Sequence, residues 1–272
     1  RNSTVIKFKN DVPYISYKAM DEIPWLTHGF STRLGGVSQG VLSSMNLGFG
    51  RGDLEENVVN NHKIIANAIG FESKNIVCSK QTHTTNVAVV GKEFKGNGIY
   101  KENCFTDIDG MITNEKNVVL ATYFADCVPL YMVDVKNKAI GLSHSGWRGT
   151  VGKIGACTLK KMKENYGTDS KDVIACIGPS ICMSCYEISE DVANEFKMAF
   201  PDNIDNILLN KGNGKYMLDL WECNRIVFRE CGVLEENIHL PDICTCCNDK
   251  MLFSHRATNG KRGNLAAFLE IK

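Results

Sequence analysis

Residues 118–150, Val118-Val-Leu-Ala-Thr-Tyr-Phe124-Ala-Asp126-Cys127-Val-Pro129-Leu-Tyr-Met-Val133-Asp-Val-Lys136-Asn137-Lys-Ala139-Ile-Gly-Leu-Ser143-His144-Ser-Gly-Trp-Arg148-Gly149-Thr150, decide the fold class. Three apolar runs of strand length are separated by a sharp Asp-Cys-Val-Pro corner and by a Lys-Asn turn. The pattern is therefore strand, corner, strand, turn, strand. It puts Cys127 at the tip of one strand and His144 at the end of another, where sheet proteins build their sites. Outward from this segment, further β-rich runs occur at residues 4–8, 14–17 and 173–177. The clearest helix is expected after Asp53, read as an N-cap with Glu56 three residues on. It carries Val58, Val59, Ile65, Ala66 and Ile69 at helical spacing and stops at Gly70. Helices are also expected at about 151–166, 190–200 and 219–231. This mixture means an α/β or α+β sheet protein. No repeat, low-complexity tract or linker rich in proline and serine divides residues 1–272, so one continuous domain is expected.

Composition limits the partners. The chain has 272 residues, 43% hydrophobic and 23% charged, with 31 basic residues against 31 acidic ones. A sizeable core fits at this length. With no net charge, no global field draws the protein to nucleic acid or to an anionic membrane, so an anionic ligand must be held by a few local basic residues. No apolar run approaches membrane-spanning length, and residues 1–9 lack an apolar signal core. A soluble, cytoplasmic protein is expected. The twelve cysteines are spread through apolar segments rather than framing a small loop-rich chain, and are expected to be reduced thiols.

Three segments join metal or nucleophile chemistry to tight glycine or proline punctuation: Gln81-Thr-His83, Ala125-Asp-Cys127-Val-Pro129 and His144-Ser-Gly-Trp-Arg148-Gly149-Thr150. Catalytic zinc takes three nitrogen or sulfur ligands and keeps a fourth position open, and one cysteine with two histidines is a known set. His83, Cys127 and His144 fit it. Their separations of 44 and 17 residues are unlike the short spacing of zinc fingers, so buried structural His and Cys remain the alternative. Arg148 stands in a glycine-bounded turn beside His144, and Arg33 in Ser31-Thr-Arg33-Leu-Gly35-Gly36-Val-Ser38. Guanidinium groups fixed in such loops suit bidentate recognition of phosphate or carboxylate, against simple surface solvation. The Gly35-Gly36 loop is a further place where backbone N–H groups can meet an anion. A second cysteine group comprises Cys182-Met-Ser-Cys185 together with Cys244, Cys246 and Cys247. Its first pair has the separation of half a four-cysteine zinc site, whereas Cys-Thr-Cys-Cys reads as the wrong separation for the other half. Buried thiols near the active site are expected, with a second metal or a redox pair as the alternative.

These motifs converge. His28-Gly-Phe-Ser-Thr-Arg33-Leu-Gly-Gly-Val-Ser38, Met45-Asn46-Leu-Gly48, Gln81-Thr-His83, Asp109-Gly-Met-Ile-Thr113, Ala125-Asp-Cys127-Val-Pro-Leu130 and His144-Ser-Gly-Trp-Arg148-Gly149 are followed by Ile177-Gly-Pro-Ser-Ile181 with Cys185-Tyr-Glu187, and by Asp242-Ile-Cys-Thr245 with Phe253-Ser-His-Arg256. In that order, from about Pro24 to the C-terminus, they resemble the YfiH-like family. These are the laccase-domain or polyphenol-oxidase-named proteins, now regarded as purine nucleoside phosphorylases. The resemblance implies a single α+β domain, with mixed sheets flanked by helices, and one zinc carried over onto His83, Cys127 and His144. It also implies phosphorolysis of adenosine, inosine and guanosine, cleavage of methylthioadenosine, and deamination of adenosine. The chain departs from the family pattern at Ser145, where alanine is common, and at Thr84, where a small residue is frequent.

Phosphorolysis must hold an anion beside developing positive charge at the ribose carbon. Arg33 and Arg148 are the candidates for phosphate, with Asn46 or Gln81 contacting ribose or base, and His83, Cys127, His144 and Arg148 form the expected catalytic set. Deamination would rest on water activated by zinc, without the His-x-Glu and Pro-Cys-x-x-Cys signature of cytidine-type deaminases. The rivals are a copper oxidase, for which six histidines leave little imidazole, a metal-free hydrolase with Cys127 as nucleophile, and a catalytically idle scaffold for a partner protein.

Overall fold

The corner at Ala125-Asp126-Cys127 carries the chain from one sheet to another. In the computed structural model, which describes residues 2–272, the strands are β1 (Thr4–Lys9), β2 (Val12–Tyr17), β3 (Leu26–Ser31), β4 (Ile76–Val77), β5 (Val87–Val89), β6 (Gly110–Thr113), β7 (Val119–Phe124), β8 (Val128–Asp134), β9 (Ala139–Ser145), β10 (Val173–Ile177), β11 (Glu187–Ser189), β12 (Leu208–Gly212), β13 (Lys215–Leu218), β14 (Ile238–His239) and β15 (Leu265–Ile271). One six-stranded sheet runs β1-β2-β3-β15-β7-β4, a second runs β14-β10-β8-β9-β6-β5, and β11-β13-β12 form a small third. Both large sheets are mixed, since β4 pairs parallel to β7, and β5 to β6, among otherwise mostly antiparallel neighbours.

Strand periodicity explains the layers. Successive side chains point to opposite faces, so Leu120 packs between the two large sheets while Val119 and Ala121 pack on the helix Glu55–Ile69 side. Likewise Tyr131 and Val133 face the first sheet, whereas Leu130 and Met132 pack with Ile154, Leu159, Ile226 and Phe228 of the helices Ile154–Tyr166 and Leu220–Glu230. The result is a helix–sheet–sheet–helix α+β domain. Both faces of each central strand are covered, which is why these runs read as continuously apolar rather than alternating. Among the described residues, no helix is long and apolar enough to cross a membrane.

Two helix expectations change. Asp53 is not the N-cap, which is Leu54. The Asp53 carboxylate instead accepts from Ser38 Oγ, Asn46 Nδ2 and Asn57 Nδ2, and that network holds the preceding loop. The helix expected at 151–166 is two, Trp147–Val151 and Ile154–Tyr166, broken where Lys153 turns left-handed at φ 57°. The other ends agree: Gly70 closes the first helix at φ 105°, and Asp219 caps the last by accepting from the N–H of Glu222.

Candidate metal centre and cleft

His144 closes β9, Cys127 stands directly before the paired strand β8, and His83 lies in the loop ahead of β5. Because β8 and β9 are hydrogen-bonded neighbours, with Val128 opposite Ser145, Cys127 and His144 arrive at the same sheet edge. The ligand atoms of all three residues lie within 4.8 Å of one another. Gly146 permits this closeness, because a Cβ there would stand 2.8 Å from His83 Nδ1 and 3.2 Å from Cys127 Sγ.

Asp109, on the last residue before β6, organises the group from behind. It is fully buried. Its carboxylate accepts from the backbone N–H groups of Thr82 (3.1 Å), His83 (3.0 Å) and Thr84 (2.9 Å), and from Thr84 Oγ1 (2.9 Å). Three successive N–H groups converging on one carboxylate require a curled backbone, and His83 accordingly adopts φ 68°. Oδ2 also accepts from His144 Nδ1 at 2.8 Å. A carboxylate can only accept, so Nδ1 carries a proton and Nε2 is the nitrogen that faces the cluster, free to ligate once its own proton leaves. Electrostatics follow the geometry. Burial opposes ionisation of Asp109, but the bonds from His144 and the loop hold its carboxyl down at about 2. Burial also opposes charge on His144, yet Cys127 and Asp109 raise it to about 9, while burial and the nearby His144 push His83 down. Two imidazoles and a thiol oriented onto a common point are a donor set suited to a borderline-soft cation.

The set opens into a cleft of about 1230 Å³. Its walls include Phe49, Tyr123, Trp147 and Tyr186, and it also takes in Arg51, His255, Arg256 and Arg262. The hydrogen bonds of these arginines go to backbone carbonyls and neutral side chains: Arg51 to the carbonyls of Gly260 and Arg262, Arg256 to that of Glu187, and Arg262 to His255 Nδ1 and Asn264 Oδ1. Burial and the neighbouring Arg51 bring Arg262 down to about 10, with Asp126 and Cys127 opposing the shift.

The remaining expected residues divide. Gln81 lines the cleft, but its side-chain amide is exchanged with the backbone of Tyr123, Oε1 accepting at 2.8 Å and Nε2 donating at 2.9 Å. Arg148 is exposed, with its guanidinium 4.3 Å above the Trp147 ring. Asn46 is buried behind the wall, its amide spent on Gly48, Asp53 and Asn264. Arg33 lies outside the cleft, because it donates to the carbonyls of Ser43 and Asp249 and stacks on Phe253 at 4.5 Å, which makes it a clamp on its own loop. The Gly35-Gly36 loop is likewise spent, with Gly36 N–H on Ser44 Oγ and Val37 N–H on Asn61 Oδ1. The two hydroxyls at departures from the family pattern are used, Ser145 with Thr150 and Asn224, and Thr84 with Asp109.

The second cysteine group also differs from expectation. Cys244 and Cys247 are themselves two residues apart, with Cys246 between them, so both halves have the Cys-x-x-Cys spacing. Cys182, Cys185, Cys244 and Cys247 bring their Sγ atoms within 4.8 Å of one another, and Cys247 is exposed rather than buried.

Asp109, Arg51 and Arg262 were not assigned roles from sequence. Only the carboxylate beginning Asp109-Gly-Met-Ile-Thr113 carried any signal, as part of a matched motif.

Comparison with known proteins adds relatives of this whole arrangement. The family described as multi-copper polyphenol oxidoreductase laccase matches residues 27–272. Purine nucleoside phosphorylase YlmD of Bacillus subtilis is 36% identical over 245 residues, covering 90% of this chain and 88% of the relative. A purine nucleoside phosphorylase of Bacteroides thetaiotaomicron is 32% identical over 268 residues, covering 98% and 99%. Among solved structures, YlmD from Geobacillus stearothermophilus superposes with a TM-score of 0.93 at 31% identity, covering 98% of this chain and 99% of that one.

Proposed function

The chain belongs to the multi-copper polyphenol oxidoreductase laccase family, the YfiH-like proteins, and on that premise we propose that it is a zinc-dependent purine nucleoside phosphorylase. In this reading it cleaves adenosine, inosine and guanosine with phosphate to free base and ribose 1-phosphate, cleaves methylthioadenosine likewise, and deaminates adenosine as a second activity. The observation that carries the proposal is the meeting, in one cleft, of a three-donor metal set with three arginines whose side-chain hydrogen bonds go to backbone carbonyls and neutral side chains.

Phosphorolysis breaks the bond between C1′ and the purine nitrogen, sends the electron pair to the base, and forms a bond from a phosphate oxygen to C1′. The phosphate must therefore be held against the sugar in a poorly hydrated place. Arg262 is the residue proposed for this, supported by Arg51 and Arg256. Arg33 and Asn46 are left out, since neither lines the cleft. The aromatic walls Phe49, Trp147 and Tyr186 suit a purine face. Arg148 does not itself line the cleft, but its charge reaches His83 and Tyr186, which do. A zinc ion held by His83, Cys127 and His144 would supply Lewis-acid polarisation of substrate or water. Asp109 keeps His144 in the ligating tautomer and His83 in place. Zinc is preferred to a copper cluster because the other histidines are dispersed. His28 accepts the Tyr17 N–H, His62 bonds Val58 and Tyr123, His239 lies on β14, and His255 contacts Arg262.

The test is incubation of metal-analysed enzyme with adenosine, with and without phosphate, followed by separation of products. Free adenine that requires phosphate supports the proposal, and inosine formed without phosphate supports the second activity. Oxidation of a phenol with neither nucleoside reaction would overturn both.

A further inference from the structure

Outside the cleft's donor set, the densest cluster of metal-ligating side chains joins two segments far apart in sequence. Cys182 precedes the single turn Met183–Cys185, and Cys244 and Cys247 lie in the loop after β14. Cys185 Sγ and Cys182 Sγ lie 3.4 Å and 3.9 Å from Cys247 Sγ, and all four sulfurs are within 4.8 Å of one another. We propose that Cys182, Cys185, Cys244 and Cys247 form a closed tetrathiolate site for one structural zinc ion, separate from the donor set in the cleft.

The geometry matches a mononuclear tetrahedral ion. With metal–sulfur bonds of about 2.3 Å, tetrahedral thiolates stand about 3.8 Å apart, close to the observed separations. Disulfides need sulfurs about 2.05 Å apart in pairs, whereas these gather about one point, with Cys247 near two partners at once. The backbone is arranged for thiolate as well. The N–H groups of Cys182 and Cys247 both point to Cys244 Sγ, at 3.2 Å and 3.4 Å, so each Cys-x-x-Cys loop donates to the same sulfur. Four thiolates this close repel unless a cation sits among them. Four protein sulfurs leave no open position, which makes the site structural rather than catalytic.

Its position gives it a task. Beside it, Thr245 N–H donates to the Ser180 carbonyl, Thr245 Oγ1 donates to Asp126 Oδ1 at 2.7 Å, and Ile181 N–H donates to the Asp126 carbonyl. Asp126 Oδ2 in turn accepts from the N–H of Arg256 at 2.7 Å. A zinc ion here fastens two loops to the corner that presents Cys127, and stiffens the wall that carries Tyr186 and Arg256.

Metal content of the purified, untagged protein tests this. Cys182→Ser and Cys247→Ser are each expected to lower zinc by one ion per chain relative to the parent, while His144→Ala, which removes a ligand of the cleft set, leaves the tetrathiolate ion in place. The difference between parent and cysteine variant does not depend on the purine nucleoside reading. Because a cysteine variant can fail to fold, cobalt-substituted parent protein and its His144→Ala variant provide a second measurement. Both should show intense sulfur-to-cobalt charge transfer with tetrahedral visible bands. Unchanged zinc content in Cys182→Ser and Cys247→Ser, cobalt charge transfer that disappears with His144, or an intact mass showing these four cysteines as disulfides would each overturn the proposal.

Discussion

Replacing Asp109 with asparagine changes no volume and removes one charge, and the structure says where the cost falls. Five donors converge on the buried carboxylate: three backbone N–H groups, Thr84 Oγ1 and His144 Nδ1. The less costly placement of an amide keeps its oxygen at Oδ1, facing Thr82 and Thr84. Its NH2 group then confronts the N–H of His83 and the Nδ1–H of His144. His83 N–H loses its acceptor, at about 1–3 kcal/mol for an unsatisfied buried donor, and the charge-assisted bonds weaken by a similar amount. His144 relieves the second clash by moving its proton to Nε2, which removes the lone pair that faces the metal. The expected total is a loss of about 3–5 kcal/mol in unfolding free energy, with zinc affinity lower by about 10–100-fold. Urea denaturation of metal-free protein measures the first, and competition with a chromogenic chelator the second. An Asp109→Asn protein within about 0.5 kcal/mol of the parent that binds zinc equally well would refute both the tautomer assignment and the organising role given to this carboxylate.

Cys127→Ser should lose the cleft zinc and both nucleoside activities together, and Cys127 should resist iodoacetamide until zinc is chelated; rapid alkylation of the zinc-loaded parent would instead mark a metal-free nucleophile. Arg262→Ala should raise KM for phosphate by roughly tenfold or more, since a charged hydrogen-bond donor is worth about 1.5–3 kcal/mol, and should also lower the melting temperature through its lost bonds to His255 and Asn264. Arg33→Ala should lower stability by about 1–2 kcal/mol through its lost carbonyl and Phe253 contacts but leave phosphate dependence intact; steady-state kinetics and thermal melts on both variants check the pair. His62 gives a pH dependence: burial lowers it to about 4 from an ordinary 6.5, so between those values the unfolded chain binds the extra proton and stability falls as pH falls. The window is worth about 3 kcal/mol, and His62→Gln should flatten the melting-temperature profile between pH 6.5 and 4.

Local pattern and tertiary structure contributed different things. The apolar runs at 118–143 and 173–177 announced strands because a run of strand length between turn residues has few other solutions, and Gly70 announced a helix end because only glycine adopts φ 105° without strain. Which sheet each strand joins was not legible. β7 and β8 are separated by three residues yet belong to different sheets, a consequence of the left-handed corner at Asp126, φ 101°, and of partners such as β15, which lies far along the chain from both. The residue types of His83, Cys127 and His144 named a metal set, but their spacing carried nothing, since only the pairing of β8 with β9 and the curl imposed by Asp109 bring them together. Arg33 and Arg262 show the same division from the other side. In sequence both are lone arginines near glycine, and the glycine-rich loop made Arg33 the better candidate for an anion. Folding turned the donors of Arg33 onto carbonyls of its own loop and of residue 249, and set Arg262 beside Arg51 in the cleft. A side chain's type is local, whereas the partners that use up or leave free its hydrogen bonds come from residues hundreds of positions away.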